Sequence, residues 1–265
     1  MLNARKVLFL SAALVLGSAL SASAADLGGL KDEPEMAPAP TGPSGWYARV
    51  DGGYAWYNKP GVSVEGFTTH DTDMGSAWSI GGGIGHYFGR GFRGDVTVDY
   101  LFNAATETTL CDCSGTSATP KFDFSSTVVL ANLYYDLNRG GRFSPYIGGG
   151  VGFAHNQTSG GTVDVSCGCS GTVDGDTSNS FAAAGMAGFS WRLRGGETRY
   201  MGGLKDEPVA VSSGHALYLD VGYRFLYLGD AATGQVAWDG NSVSEAKLKD
   251  VTAHQIRIGL RYDLN

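Results

Sequence analysis

Thr252 to Leu264 reads T-A-H-Q-I-R-I-G-L-R-Y-D-L, and from His254 onward it alternates without a break. Ile256, Ile258, Leu260, Tyr262 and Leu264 fall on one face; Gln255, Arg257, Gly259, Arg261 and Asp263 fall on the other. A period of two is the signature of a strand with one apolar and one polar face. A soluble sandwich buries the apolar face. A membrane barrel turns it out to lipid and keeps the polar face in the lumen.

Seven more segments carry the same alternation. Trp46 to Tyr57 sets Trp46, Ala48, Val50, Gly52, Tyr54 and Trp56 against Arg49, Asp51, Gly53 and Ala55. Ala77 to Phe88 carries Trp78, Ile80 and Ile84 on one face, and Arg93 to Phe102 sets Val96, Val98 and Tyr100 against Asp95, Thr97 and Asp99. Thr127 to Leu137 is apolar on both faces; Val129, Ala131, Leu133 and Tyr135 are taken as the outer set. Ser144 to His155, Ser180 to Arg192 and Ala216 to Tyr227 follow, which with the last stretch makes eight strands. The connections Asn58–Ser76, Asn103–Pro120, Gln157–Asn179 and Gly229–Lys249 are long and polar, whereas Gly89–Gly91 and Asn138–Gly141 are tight. Long loops at one end and short turns at the other are the pattern of an outer-membrane barrel. The expected fold is therefore all-β: an eight-stranded antiparallel transmembrane β-barrel over residues 45–265, with long extracellular loops and the N-terminus periplasmic.

The first 24 residues support this reading. Arg5 and Lys6 precede an apolar run, Val7 to Leu20, and Ala22-Ser23-Ala24 is a small-x-small cleavage site. That is a signal peptide, too short in its apolar part to span a bilayer as a helix. Residues 25–44 hold Pro34, Pro38, Pro40 and Pro43 and read as an extended periplasmic linker. The formal charge is −7, and cleavage after Ala24 removes Arg5 and Lys6 to leave −9, which argues against a nucleic-acid partner.

With the apolar faces outside, the lumen receives Arg49, Asp51, Asp95, Asp99, Asp220, Arg224, Arg257 and Arg261. Four acids meet four arginines, and buried charges persist only when paired. Eight strands enclose a bore that side chains fill. Barrel size favours a salt-bridged plug; a narrow charged pore is the other reading. Aromatics near strand ends, including Trp46, Trp56, Tyr57, Trp78, Tyr134, Tyr135, Tyr146, Trp191, Tyr223, Tyr227 and Tyr262, read as two interfacial belts.

Two local features stand out. G-G-L-K-D-E-P occurs twice, at Gly28–Pro34 and Gly202–Pro208, both on the expected periplasmic side. Either the copies dock a periplasmic protein or they are a duplicated acidic linker. Cys111 and Cys113 sit in C-D-C-S-G-T, and Cys167 and Cys169 in C-G-C-S-G-T, both in outward loops. An oxidising compartment favours disulfides over a four-thiolate zinc site, with three connectivities open. None of the five histidines belongs to a nucleophile motif, and no P-loop, dinucleotide fingerprint or zinc-protease motif is present. No catalysis, cofactor or resident metal is expected.

In series, Ala25-Asp26, A-N-L-Y-Y-D-L (Ala131–Leu137), Y-I-G-G-G-V-G (Tyr146–Gly152), L-D-V-G-Y-R-F (Leu219–Phe225) and I-R-I-G-L-R-Y-D-L (Ile256–Leu264) give the mature chain its likeness. It resembles the small opacity-type outer-membrane proteins of alpha-class proteobacteria, the 25- and 31-kilodalton surface proteins of the porin family. The resemblance implies an abundant structural protein and surface antigen set in outer-membrane lipid and lipopolysaccharide. It also implies an assembly signal read by the barrel-assembly machinery: Gly259, Leu260, Tyr262 and Leu264, with Leu264 where that signal usually has Phe. In some members the mature Ala-Asp end is joined to peptidoglycan; carried over, Ala25 supplies the amine and Asp26 the recognition side chain. Three functions follow as expectations: a structural envelope protein, a narrow porin for small solutes, or a surface adhesin.

Overall fold

The structure, a computed structural model, describes residues 45–64, 68–111, 117–138, 141–166, 170–195, 198–201, 209–212, 215–238, 241–243 and 245–264. The two G-G-L-K-D-E-P copies, the signal peptide and the linker lie outside the described residues. Eight long strands form the wall: β1 (Gly45–Tyr57), β2 (Ser76–Gly89), β3 (Phe92–Cys111), β4 (Ser117–Asp136), β5 (Phe143–Thr158), β6 (Asp176–Arg194), β7 (Leu217–Ala232) and β8 (Lys247–Asp263). Each pairs antiparallel with its neighbour in sequence. The ring closes because β8 pairs with β1, Val50 opposite Leu260 and Tyr54 opposite Ile256. Closure matters physically, since an open edge would leave backbone groups unpaired in lipid.

The alternation read from sequence sets which side faces where. In β1, Tyr47, Arg49, Asp51, Gly53 and Ala55 are buried, while Trp46, Val50, Tyr54 and Trp56 are exposed. Across the barrel the outer face carries Ile80, Ile84, Val96, Val98, Leu133, Ile147, Val151, Ile256 and Ile258, each more than half exposed. So much exposed aliphatic surface is tolerable only against hydrocarbon. Along β3 the outward apolar set runs from Phe92 to Phe102. Ten residue steps of about 3.3 Å, tilted by about 40°, rise about 25 Å, the height of a barrel's apolar band.

Beyond that band the binary pattern inverts. Arg93, Asp95, Thr97, Asp99 and Leu101 point into β3's bore, so odd numbers face inward. The β3–β4 register then shifts between Leu101 and Ala104, and Phe102 and Asn103 are both exposed. Past this bulge Ala104, Thr106, Thr108 and Leu110 take the inside, and Asn103, Ala105 and Glu107 the outside. One extra residue has swapped the faces. β7 and β8 change phase together, with register shifts around Gly229 and positive φ at Gly229 (68°) and Asp250 (53°). Above these bulges polar residues face out and apolar ones face in, as in a soluble β-sheet.

The long connections are consequently not irregular loops, as their polarity suggested. β3 and β4 run on as a hairpin to Cys111 and Ser117. Gly161–Val165 adds to β4, Ser170–Val173 to that, and Val236–Trp238 and Asn241–Val243 extend the ladder. Gly61–Ser63 pairs with β8 and Thr68–Met74 with β3. The strands are thus longer than their apolar stretches, because above the band their outer faces turn polar. At the other end Gly89, Arg90 and Gly91, all at positive φ, make the tight β2–β3 turn. The β6–β7 connection instead contains a hairpin, Thr198–Met201 with Val209–Ser212.

If the outer face lies in lipid, Ile258→Arg near the middle of the band should destabilise the folded barrel by about 2–4 kcal/mol. Urea unfolding in phospholipid vesicles measures this, and an Asn103→Arg control above the bulge should cost little.

Candidate functional site: a charged lumen under an apolar cap

The lumen concentrates buried ionisable side chains, and the strands bring all eight of the charges read from sequence into it. Arg49 grips Asp51 through Nε (2.9 Å) and Nη2 (2.6 Å), and reaches Asp95 through Nη1 at 3.2 Å. Arg257 Nη2 sits between Asp51 (3.1 Å) and Asp99 (2.8 Å). Arg224 Nη1 donates to Asp99 at 2.7 Å and its Nε to Gln255 Oε1 at 2.7 Å; Gln255 passes the chain on to Ser79. Arg261 makes a two-pronged contact with Asp220 at 3.0 and 3.2 Å and donates to Ser190 at 2.9 Å and to Tyr87.

β3 and β7 lie opposite each other in an eight-membered ring, so the Asp99–Arg224 contact crosses the bore. Arg49 likewise reaches from β1 to the Tyr134 hydroxyl on β4 at 3.1 Å. These links leave little open space. A cavity of about 20 Å³ lies among Tyr87, Asp136, Ser144, Ser190, Tyr218 and Arg261, and one of about 10 Å³ among Arg49, Tyr134, Tyr146, Met186 and Arg257. That is space on the scale of one or two water molecules each.

Glycines make the close approach possible at two points. A methyl group on Gly81 would overlap the Asp99 carboxylate, and one on Gly259 would overlap that of Asp51. Gly259, read from sequence as part of an assembly signal, therefore also leaves room for a lumen charge. Its companions Leu260, Tyr262 and Leu264 are exposed on the outer face.

Sequence reasoning missed several members. Arg93 is fully buried; its Nε contacts Asp136 at 3.1 Å, and its guanidinium lies 4.1 Å from the Tyr134 ring centroid and 4.9 Å from that of Tyr146. Its two terminal nitrogens have no hydrogen-bond partner and meet aromatic faces instead. Tyr47 donates to Asp95 at 3.0 Å, Asn132 to Asp95 at 2.8 Å, and Tyr87 to Asp263 at 2.9 Å. Tyr57, Tyr134 and Tyr146 correct the belt assignment: all three are buried inside the barrel. Arg93, Tyr134 and Tyr146 were legible, since each has the inward parity of its strand.

Above the charges the interior becomes apolar. Leu101, Phe124, Val128, Leu130, Leu226, Leu228 and Leu248 are completely buried, and Tyr57 packs edge-on against Phe124 at 5.7 Å. This cluster continues past the bulges through Phe122, Val163, Val173 and Val236. The bore is thus filled twice, by ion pairs below and hydrocarbon above. The signal for the upper layer was the two-sided apolarity of Thr127–Leu137 and of Phe225-Leu226-Tyr227-Leu228.

Residues 11–263 match the family model described as outer membrane protein beta-barrel domain. The chain belongs to that family, and the outer membrane is its place. An uncharacterised protein of Brucella suis biovar 1 is 29% identical over 94% of this chain and 95% of its own length. A Rickettsia akari protein whose name marks it as a candidate adhesin is 26% identical over 83% of this chain and 88% of its own. These are alpha-proteobacterial relatives, in line with the resemblance drawn from the motifs. Among solved structures, OprG of Pseudomonas aeruginosa aligns with TM-score 0.47 at 14% identity, over 84% of this chain and 98% of that one. Neisserial surface protein A aligns with TM-score 0.43 at 16% identity, over 83% and 98%.

Other expected sites fall mostly out of view. Ala25 and Asp26 lie outside the described residues, as do Cys113, Cys167 and Cys169. Of Cys111 only the backbone is described, paired with Thr68 and Ser117. The flanks of the two cysteine motifs are adjacent: Ser166 N donates to Ser117 O at 2.9 Å, and Ser117 N to Ser166 Oγ at 3.1 Å. Among the described residues no group of His, Cys, Asp or Glu is placed to hold a metal ion.

Asp99→Ala leaves Arg224 without an acid and Arg257 with Asp51 alone, and should destabilise the barrel by about 3–5 kcal/mol. Urea titration of the refolded protein reads this directly. Replacing Asp99, Arg224 and Arg257 together with apolar residues of similar volume should cost much less.

Proposed function

We propose that this barrel is a structural protein of the outer membrane whose bore is closed. The observation that supports it best is the double filling of the interior, with ion pairs that cross the diameter and an apolar layer above them. A narrow porin needs a continuous wet path, and filling at both levels argues against one. With the short turns facing the periplasm, β1 starts at Gly45 on the cell-wall side. There the Ala25 amine, with Asp26 beside it, is the group for covalent attachment to peptidoglycan, and the G-G-L-K-D-E-P copies face the same compartment as contacts for a periplasmic protein. Nothing in this role requires catalysis or a cofactor.

A second reading is supported by the sheet that rises beyond the band. Its apolar interior makes it a rigid platform, which suits a surface contact, and the Rickettsia relatives are named as candidate adhesins. On this platform we propose that the cysteines of C-D-C and C-G-C join in disulfides between the two neighbouring hairpin tips. The isolated protein should then titrate as zero free thiols before reduction and four after it; four thiols beforehand would rule the disulfides out.

Planar-bilayer recording should show no stable conductance from the purified wild-type barrel. Steady ohmic steps would overturn the closed-bore reading in favour of the porin. Detergent-boiled sacculi digested with muramidase should release a peptide beginning at Ala25 that carries a muropeptide mass. Sacculi free of the protein would remove the covalent tether while leaving the closed barrel standing.

A further inference from the structure

The two rims of the lipid-facing wall end in different chemistry. At the short-turn rim each of the exposed rings of Phe88, Phe92, Phe143 and Trp191 lies within two residues of Arg90, Arg142 or Arg192 in sequence. Arg90 occupies the β2–β3 turn, Arg142 precedes β5, and Arg192 and Arg194 close β6. Arg142 places its guanidinium 6.0 Å from the Trp191 ring centroid, and its carbonyl accepts from Arg192 N at 2.8 Å, so these residues share one sector of the rim. Among the described residues no exposed acid offsets Arg90, Arg142 or Arg194. Asp136 is paired with Arg93, and Asp263 is buried against Tyr87.

The opposite end is acidic. Asp71, Asp73, Glu107, Asp164, Asp230 and Asp250 are exposed there, against four described lysines, Lys59, Lys121, Lys247 and Lys249. Residue type is segregated as well as sign. Outside the lumen, arginine among the described side chains occurs only at the short-turn rim and lysine only at the other. A lysine ammonium is a strongly hydrated point charge suited to open solvent. A guanidinium presents parallel donors that match two phosphate oxygens, and it keeps its charge beside an aromatic face. Arginine just beyond an aromatic ring therefore lies at the depth where a bilayer holds its phosphates.

We propose that the short-turn rim is a binding surface for the headgroups of anionic phospholipids in the leaflet at that end, with Arg142, beside Trp191, and Arg194 as principal donors and Arg90 serving the neighbouring sector. The proposal rests on the reading that the wall spans a bilayer. Each arginine near an anionic lipid surface contributes about a fivefold preference, the equivalent of about 1 kcal/mol.

The test is reconstitution into nanodiscs of equimolar phosphatidylglycerol and phosphatidylcholine, followed by mass spectrometry of the lipid that stays with the protein. A shift in gel mobility between unheated and heated samples first establishes that each variant has formed a barrel. Wild-type protein should retain phosphatidylglycerol preferentially. The triple variant R90Q/R142Q/R194Q should lose about fivefold of that preference per arginine, and K121Q/K247Q/K249Q should keep it. Equal retention of both lipids by the wild type, or equal losses in the two triple variants, would overturn the proposal. Should the arginine triple fail to fold, the wild type decides alone: a preference abolished by high salt supports the surface, and none at low salt defeats it. A wild-type protein with no heat-sensitive mobility would instead count against the membrane-spanning barrel itself.

Discussion

Asp99 meets two arginines from the far side of the ring, and that meeting governs the interior. An eight-stranded wall brings opposite side chains within reach, so a charge on one strand cannot remain solvated by a column of water. It has to find a counter-charge on another strand. Asp99 takes Arg224 and Arg257; Arg257 also holds Asp51, which holds Arg49, which holds Asp95. Each ion is neutralised by at least one neighbour, and polar hydroxyls and amides take up further donors. The glycines opposite Asp99 and Asp51 follow from the same constraint, because a carboxylate lying flat against the neighbouring strand leaves no volume for a Cβ.

Buried ion pairs are weak evidence for net stability, since desolvation offsets most of their attraction. Their value here is register. Because side chains alternate with period two, a slip of one residue between β3 and its neighbours would turn Asp95 and Asp99 toward lipid, take an acid from Arg49 and Arg257, and leave Arg224 with none. The cost of that error falls on both faces at once. The charged layer thus selects one pairing of the strands, while the apolar outer face holds the selected barrel in the bilayer.

This double constraint explains how much was legible beforehand. Every residue in the charge network has the inward parity of its strand, and parity is visible in a string such as D-V-T-V-D-Y or I-R-I-G-L-R-Y-D-L. Strand ends were less visible, because the bulge at Phe102-Asn103 swaps which parity faces inward, and a rule based on uniform alternation stops there. Asn103–Pro120 looked like loop for that reason, although Ala104, Thr106, Thr108 and Leu110 alternate as regularly as the residues before them. The inward tyrosines were misplaced for a different reason. Aromatic residues near strand ends suit a membrane interface, but Tyr57, Tyr134 and Tyr146 have the wrong parity for it, and parity outweighs residue type.

The bulges also tie the interior to the surface. They sit where the outer face changes from apolar to polar, and where the lumen's charges have already given way to Leu101, Leu226 and Leu228. A strand apolar on both faces, as β4 is around Val128-Val129-Leu130, can exist only between hydrocarbon outside and a packed cap inside. Below it the inner face is charged, and above it the outer face is polar. The membrane-spanning wall and the projecting sheet are therefore one continuous ladder whose two halves obey opposite solvent rules. A few out-of-phase residues join them, and the apolar cap straddles the join, so the seal of the bore and the base of the projecting sheet rest on the same buried side chains.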